Sequence, residues 1–237
     1  MPTVLRKWMR YRSSLLGLLL FSVACSPITT LAQDFANLSR YQKANLRLTS
    51  SDAEVDVVIL GDSIAERWVR QRPEFFRSTG YLGRGIVGET TAQMLLRFQQ
   101  DVIDLEPRVV VIVAGTNDIA GNSGPMSPND TLYYLRVMLA SAQAHGITPV
   151  LTSILPSQSF FWSEVRDVSS RIEDLNEMIQ KLASNADVTY VDFAIAMRTA
   201  SGGMADNLSD DGVHPNNLGY AKMESRLRYY LKSLLAD

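Results

Sequence analysis

The sequence predicts a three-layer α/β sandwich: a five-stranded parallel sheet, doubly wound, with helices on both faces. Three observations predict it. Residues 55–60, interrupted only by Asp56, and 109–114 are apolar and rich in β-branched side chains, the pattern of strands buried on both faces. Stretches of helical periodicity alternate with such runs along the chain. Both runs stop at a glycine followed by polar residues, Gly61-Asp62-Ser63 and Gly115-Thr116-Asn117-Asp118. Functional side chains are thereby delivered to the carboxyl edge of the sheet, where open α/β folds bind their ligands.

From the start of the 237-residue chain, the first 32 residues read as a secretory signal peptide. Arg6, Lys7, Arg10 and Arg12 precede any acidic residue, and residues 15–24 form an apolar run too short to span a bilayer. Thr30-Leu31-Ala32 then offers a small-residue cleavage site. The alternative is a lipoprotein anchored at Cys25, although Ser22 stands where such signals carry an aliphatic residue. The expectation is an exported protein, periplasmic or secreted, with one domain over 33–237 and no transmembrane helix in the mature form. Without the leader, 19 Lys and Arg face 25 Asp and Glu, which argues against a nucleic-acid partner. The only cysteine leaves with the leader, so neither a disulfide nor a Cys–His metal cluster is expected.

Phe35, Leu38, Tyr41, Leu46 and Leu48 fall at helical spacing and predict an amphipathic lead-in helix over 35–48. The first strand and Ser63 follow, then a short helix near 65–71 ended by Pro73. A serine here also suits a helix N-cap. Gly83-Arg84-Gly85-Ile86-Val87-Gly88 fits the dinucleotide pattern G-x-G-x-x-G, but residues 76–82 do not form a buried run into its first glycine, and no dinucleotide is expected. Gly88 instead stands just before a helix marked by a Thr90/Gln93 capping box and a stripe of Met94, Leu95, Phe98 and Val102. Unpaired N–H groups at such a position favour an anion, and a sharp turn is an equally good reason for the glycine.

After the second run, Asn117 either caps a turn or offers its amide to a ligand. Residues 121–129 read as a loop, 129–145 as a helix and 147–155 as a strand. The loop over 156–163 carries Phe160, Phe161 and Trp162. Such aromatics form a pocket wall or pack beneath the loop, and Phe160 and Trp162 are the candidate substrate contacts. A helix over 167–184, a strand over 188–193 and a helix over 218–235 complete the pattern. In the flavodoxin-like strand order 2-1-3-4-5, the reversal falls beside the first strand, close to Ser63. Of the two histidines, His145 reads as a surface residue at a helix C-terminus. His214, in Asp210-Asp211-Gly212-Val213-His214-Pro215, has no comparable packing reason.

Four blocks together resemble those of the SGNH (GDSL-type) hydrolase family: Gly61-Asp62-Ser63-Ile64, Gly85-Ile86-Val87-Gly88-Glu89-Thr90-Thr91, Gly115-Thr116-Asn117-Asp118 and Asp211-Gly212-Val213-His214-Pro215. The resemblance runs from about residue 55 to the C-terminus. It implies Ser63 as nucleophile, His214 as general base and Asp211 as the residue orienting it. It also implies an oxyanion hole from the backbone N–H groups of Ser63 and Gly88 and the side-chain amide of Asn117. Ile64 replaces the usual Leu, and Val87-Gly88-Glu89 replaces the commoner Gly-Gly-Asp or Ser-Gly-Gln; neither change touches a catalytic group.

The residue types suit that chemistry in their own right. A serine hydroxyl is a weak nucleophile until an imidazole accepts its proton, and a carboxylate on the far ring nitrogen fixes the tautomer. The expectation is an acetylhydrolase-like serine esterase acting on short acyl esters of small molecules or carbohydrates, without metal or organic cofactor. The same triad also suits O-acyl transfer to a carbohydrate or a lysophospholipase-type activity. A non-catalytic carbohydrate-binding module fits least, because all five functional positions carry the required residues.

Overall fold

The two long apolar runs become the central strands β1 (Val57–Gly61) and β3 (Val109–Val113), buried along their whole length. In the computed structural model, which describes residues 34–51 and 53–236, they pair in parallel, with Val57 opposite Val109. Strands β2 (Leu82–Gly85), β4 (Thr148–Thr152) and β5 (Thr189–Val191) complete a five-stranded parallel sheet in the order β2-β1-β3-β4-β5. The expected fold class and strand order are those observed. The leader read over 1–32, with Cys25, lies outside the described residues.

The period-2 geometry of the strands divides the core. Val58, Leu60, Val110 and Ile112 point to one face, packing with α4 (Thr91–Asp101), α6 (Pro128–Ala144) and α7 (Val168–Asn185). Val57, Ile59, Val109 and Val111 point to the other, covered by α2 (Ser63–Gln71), α3 (Pro73–Thr79) and α8 (Asn217–Leu234). On this second face Trp68 is fully buried, with ring centroids 5.6 Å from Phe75 and 5.7 Å from Tyr220. Leu48 of the lead-in helix α1 (Ser39–Thr49) and Ile119 of the short α5 (Thr116–Ala120) pack, partly buried, against the first of these faces.

Two elements depart from expectation. Pro73 does not merely stop α2; it occupies the first turn of α3, where its missing N–H costs nothing. Strand β2 falls on the G-x-G-x-x-G segment, which lacks a β-branched signature. A Cβ on Gly85 would lie 2.2 Å from the Glu66 nitrogen, so this glycine lets an edge strand pass tightly beneath α2. Packing of strand on helix accounts for the glycine.

Candidate active site

The reversal in strand order lies between β1 and β3, and the chain leaves both strands there in polar turns. After β1, Asp62 rather than Ser63 takes the N-cap position: its Oδ1 accepts from the Ile64 N–H at 2.8 Å. Capping by Asp62 leaves the Ser63 hydroxyl, in the first turn of α2, for another partner. That partner is His214, 151 residues away, whose Nε2 lies 2.9 Å from Ser63 Oγ.

The loop carrying His214 is built by its own side chains. Asp211 Oδ1 accepts the N–H groups of Val213 at 3.0 Å and His214 at 2.7 Å, bending 211–214 into an Asx turn. Ser209 Oγ accepts from Gly212 at 2.9 Å and donates to the His214 carbonyl at 2.7 Å. The turn sets Asp211 Oδ2 2.7 Å from His214 Nδ1. With the carboxylate accepting the Nδ1 proton, Nε2 faces the hydroxyl as an acceptor.

Burial lowers the His214 pKa below its ordinary value, against the upward pull of Asp211. Burial pushes Asp211 up, but the N–H and ring of His214 and the N–H of Val213 outweigh it and hold the carboxyl at about 2. Asp211 is therefore ionised and His214 neutral at pH 7.

Gly88 sits at φ +79°, a left-handed conformation that favours glycine. No acceptor among the described residues takes its N–H or that of Ser63. Asn117, in the first turn of α5, donates from Nδ2 to the Glu89 carbonyl at 3.0 Å and to Asp62 Oδ2 at 3.2 Å. The amide thus sits between the immediate neighbours of Gly88 and Ser63. Asp62 is almost fully buried; burial, with the nearby Asp118 and Glu89, raises its pKa to about 7. Asp118 joins the two turns, accepting from the Thr91 N–H at 3.1 Å, from the Thr91 hydroxyl, and from Thr131 at 3.1 Å.

The aromatic loop lies against the imidazole. Trp162 and Phe161 are accessible, with ring centroids 6.3 and 6.4 Å from that of His214. Phe160 is not a surface residue: it is buried in the core and stacks beneath Trp162 at 5.1 Å. The pocket-wall expectation therefore needs correcting at Phe160, whose apolar ring packs inward, while the neighbouring Phe161 takes the exposed position. His145 caps the C-terminus of α6, as expected of a surface histidine. A polar cleft of about 300 Å³ runs beside Asp211, lined by Ser157, Ser159, Thr199, Ser201 and Asp206.

Sequence reasoning missed the charges that support this site. Arg97 is fully buried and binds Glu89 at 2.6 Å, Asp101 at 2.9 Å and the Gly61 carbonyl at 2.9 Å. Asn37 donates to Glu89 at 3.1 Å, tying the segment before α1 to the Gly88 turn. The sequence carried no distinguishing signal for these charges: Asp101 stands four residues after Arg97, a spacing that a solvated helix face shows equally, and Glu89 lies eight residues before it, outside the helix.

The model of the GDSL-like lipase/acylhydrolase family matches residues 59–222. A GDSL-like lipase from Bacteroides thetaiotaomicron VPI-5482 is 38% identical with a TM-score of 0.82, covering 85% of this chain and 100% of its own. A chain assigned as an acylhydrolase from Bacteroides fragilis NCTC 9343 is also 38% identical, with a TM-score of 0.81, over 85% of this chain and 99% of its own. The uncharacterized lipoprotein YqeF of Bacillus subtilis (strain 168) is 32% identical over 118 residues, 43% of this chain and 49% of that protein. The chain thus spans about half the length of that curated relative.

Proposed function

We propose that this chain, which belongs to the GDSL-like lipase/acylhydrolase family, hydrolyses short-chain acyl esters, acetyl esters above all, through an acyl-serine intermediate on Ser63. The family makes it a carboxylic ester hydrolase; the catalytic assignment and the acyl preference are our reading. One observation carries that reading: the continuous chain Ser63 Oγ, His214 Nε2, His214 Nδ1, Asp211 Oδ2, with links of 2.9 and 2.7 Å.

In this reading Ser63 Oγ attacks the ester carbonyl carbon as His214 Nε2 takes the hydroxyl proton. The tetrahedral intermediate collapses with loss of the alcohol, which receives that proton from His214. A water molecule repeats the sequence on the acyl-serine, releasing the carboxylic acid and restoring Ser63. Asp211 stabilises the imidazolium without accepting its proton. The N–H groups of Ser63 and Gly88 and the Asn117 amide receive the developing oxyanion. The 3.2 Å contact with Asp62 is the longer of Asn117's two, and it is the one an oxyanion would share.

The acyl preference rests on the likeness of the four sequence blocks to those of acetylhydrolase-like members of the family. Across p-nitrophenyl acetate, butyrate and octanoate, kcat/KM is expected to fall with chain length; a maximum at octanoate contradicts the acyl preference. Because the base must be neutral, activity should rise with pH through the imidazole pKa and then level off. Burial places that limb below the ordinary histidine value of about 6.5, and Asp211 stays ionised throughout it. A pH–rate profile of kcat/KM with its acid limb above pH 7 contradicts the assignment of His214.

Export belongs to the same reading. The likeness to a lipoprotein adds weight to attachment through Cys25 as against release after Ala32. Among the described residues no helix is long and apolar enough to cross a membrane.

A further inference from the structure

We infer that Asn122 is the positioning residue for the oxyanion donors, fixing the Asn117 amide and the Gly88 turn with one side chain. The inference rests on the proposed catalytic reading and deepens it. Asn122 Nδ2 donates to Asn117 Oδ1 at 2.8 Å and to the Gly88 carbonyl at 3.0 Å, and its Oδ1 accepts from Trp162 Nε1 at 3.0 Å. Three segments that share no backbone pairing, the Gly88 turn, α5 and the aromatic loop, thus meet on one side chain.

The chemistry gives each bond a purpose. A side-chain amide has two ends of almost equal shape, and only its partners decide which points where. Asn117 uses Nδ2 toward the neighbours of Ser63 and Gly88, so its Oδ1 needs a donor on the opposite side. Asn122 is that donor. The second bond holds the Gly88 carbonyl in the left-handed turn, while the Gly88 N–H remains without an acceptor among the described residues.

Asn122 is itself fixed. Its backbone N–H donates to the Asn117 carbonyl at 3.1 Å, and the next residue, Ser123, lies 3.0 Å from both Gln93 Oε1 and Thr90 Oγ1 at the start of α4. Asn122 is nonetheless exposed, so its side chain contributes little to the core. Loss of the amide should leave the fold intact and loosen only the donors.

The test is a mutant cycle read in kcat and KM on p-nitrophenyl acetate, with melting temperatures as controls. Asn122→Ala is expected to lower kcat about tenfold, a fraction of the ~10²–10³ expected for Asn117→Ala, with KM within about twofold. Asn122→Asp should be worse than Ala, because it turns carboxylate oxygens toward Asn117 Oδ1 and the Gly88 carbonyl. On the Asn117→Ala background, Asn122→Ala should cost clearly less than it does alone. Full additivity, a loss confined to KM, or Asp tolerated better than Ala would overturn the inference. Ser63→Ala separates the two claims. If it stays active the catalytic reading falls, whereas if it is inactive while Asn122→Ala keeps wild-type kcat only the role of Asn122 falls.

Discussion

Ser63→Ala is expected to lower kcat by about 10⁶-fold, by analogy with loss of the nucleophile in a serine protease triad. The physical reason is that no other group can form the acyl intermediate at that position. Among the described residues, Ser63 is the hydroxyl 2.9 Å from the one imidazole whose far nitrogen is held by a carboxylate. The change should cost little stability, because Asp62, not Ser63, caps α2 through the Ile64 N–H. Steady-state kinetics on p-nitrophenyl acetate, with a melting curve as control, checks both halves. Residual turnover should not exceed the ~10³–10⁴-fold acceleration over water that binding and an oxyanion hole supply alone. Turnover within tenfold of wild type would remove Ser63 from the mechanism.

The second large effect concerns stability. Arg97→Met should destabilise the fold by about 3–5 kcal/mol at neutral pH, the usual cost of breaking a buried ion pair from one side. It strands the Glu89 and Asp101 carboxylates and the Gly61 carbonyl, all of which Arg97 satisfies within 2.9 Å. A domain of this size should lose roughly 6–20 °C in melting temperature for that change. The pH dependence identifies the cause. Burial already raises the Glu89 carboxyl above its ordinary value against the downward pull of Arg97, so loss of the guanidinium should raise it further in the folded state. The folded state then binds more protons, and the loss shrinks as pH falls from 7 toward 5. Urea unfolding at those two pH values measures it; a loss of under 1 kcal/mol, or one that grows on acidification, contradicts the account. Glu89 also accepts from Asn37 and presents its carbonyl to Asn117, so the same substitution should depress kcat in whatever protein remains folded.

What the sequence could reveal followed from how local each signal is. Ser63, Gly88, Asn117 and the Asp211–His214 pair stand in short blocks where a strand end or tight turn needs particular residues, so they were legible at single positions. The central strands were legible because burial on both faces leaves a continuous apolar run. Strand β2 was not. Leu82-Gly83-Arg84-Gly85 has two glycines and a charge, and it is a strand because β1 pairs with it and α2 crosses it closely. Arg84 is buried there because Asn45, 39 residues earlier, accepts from it at 2.8 Å. Pro73 was ambiguous by nature, since the same ring ends one helix and begins the next. Arg97 and Asn122 were illegible for a shared reason. Each acts through partners in other segments, and nothing in the flanking residues distinguishes a buried arginine from a solvated one, or a bridging asparagine from a turn former.

The central claim is that one serine hydroxyl, activated by His214, is the site of acyl transfer. A fluorophosphonate probe tests it most directly, because it phosphonylates only an activated serine and the adduct can be mapped by peptide mass spectrometry. The account predicts a single adduct on the peptide carrying Ser63, absent in Ser63→Ala and formed far more slowly in His214→Ala. An adduct on another residue, or labelling that persists unchanged in Ser63→Ala, would contradict it.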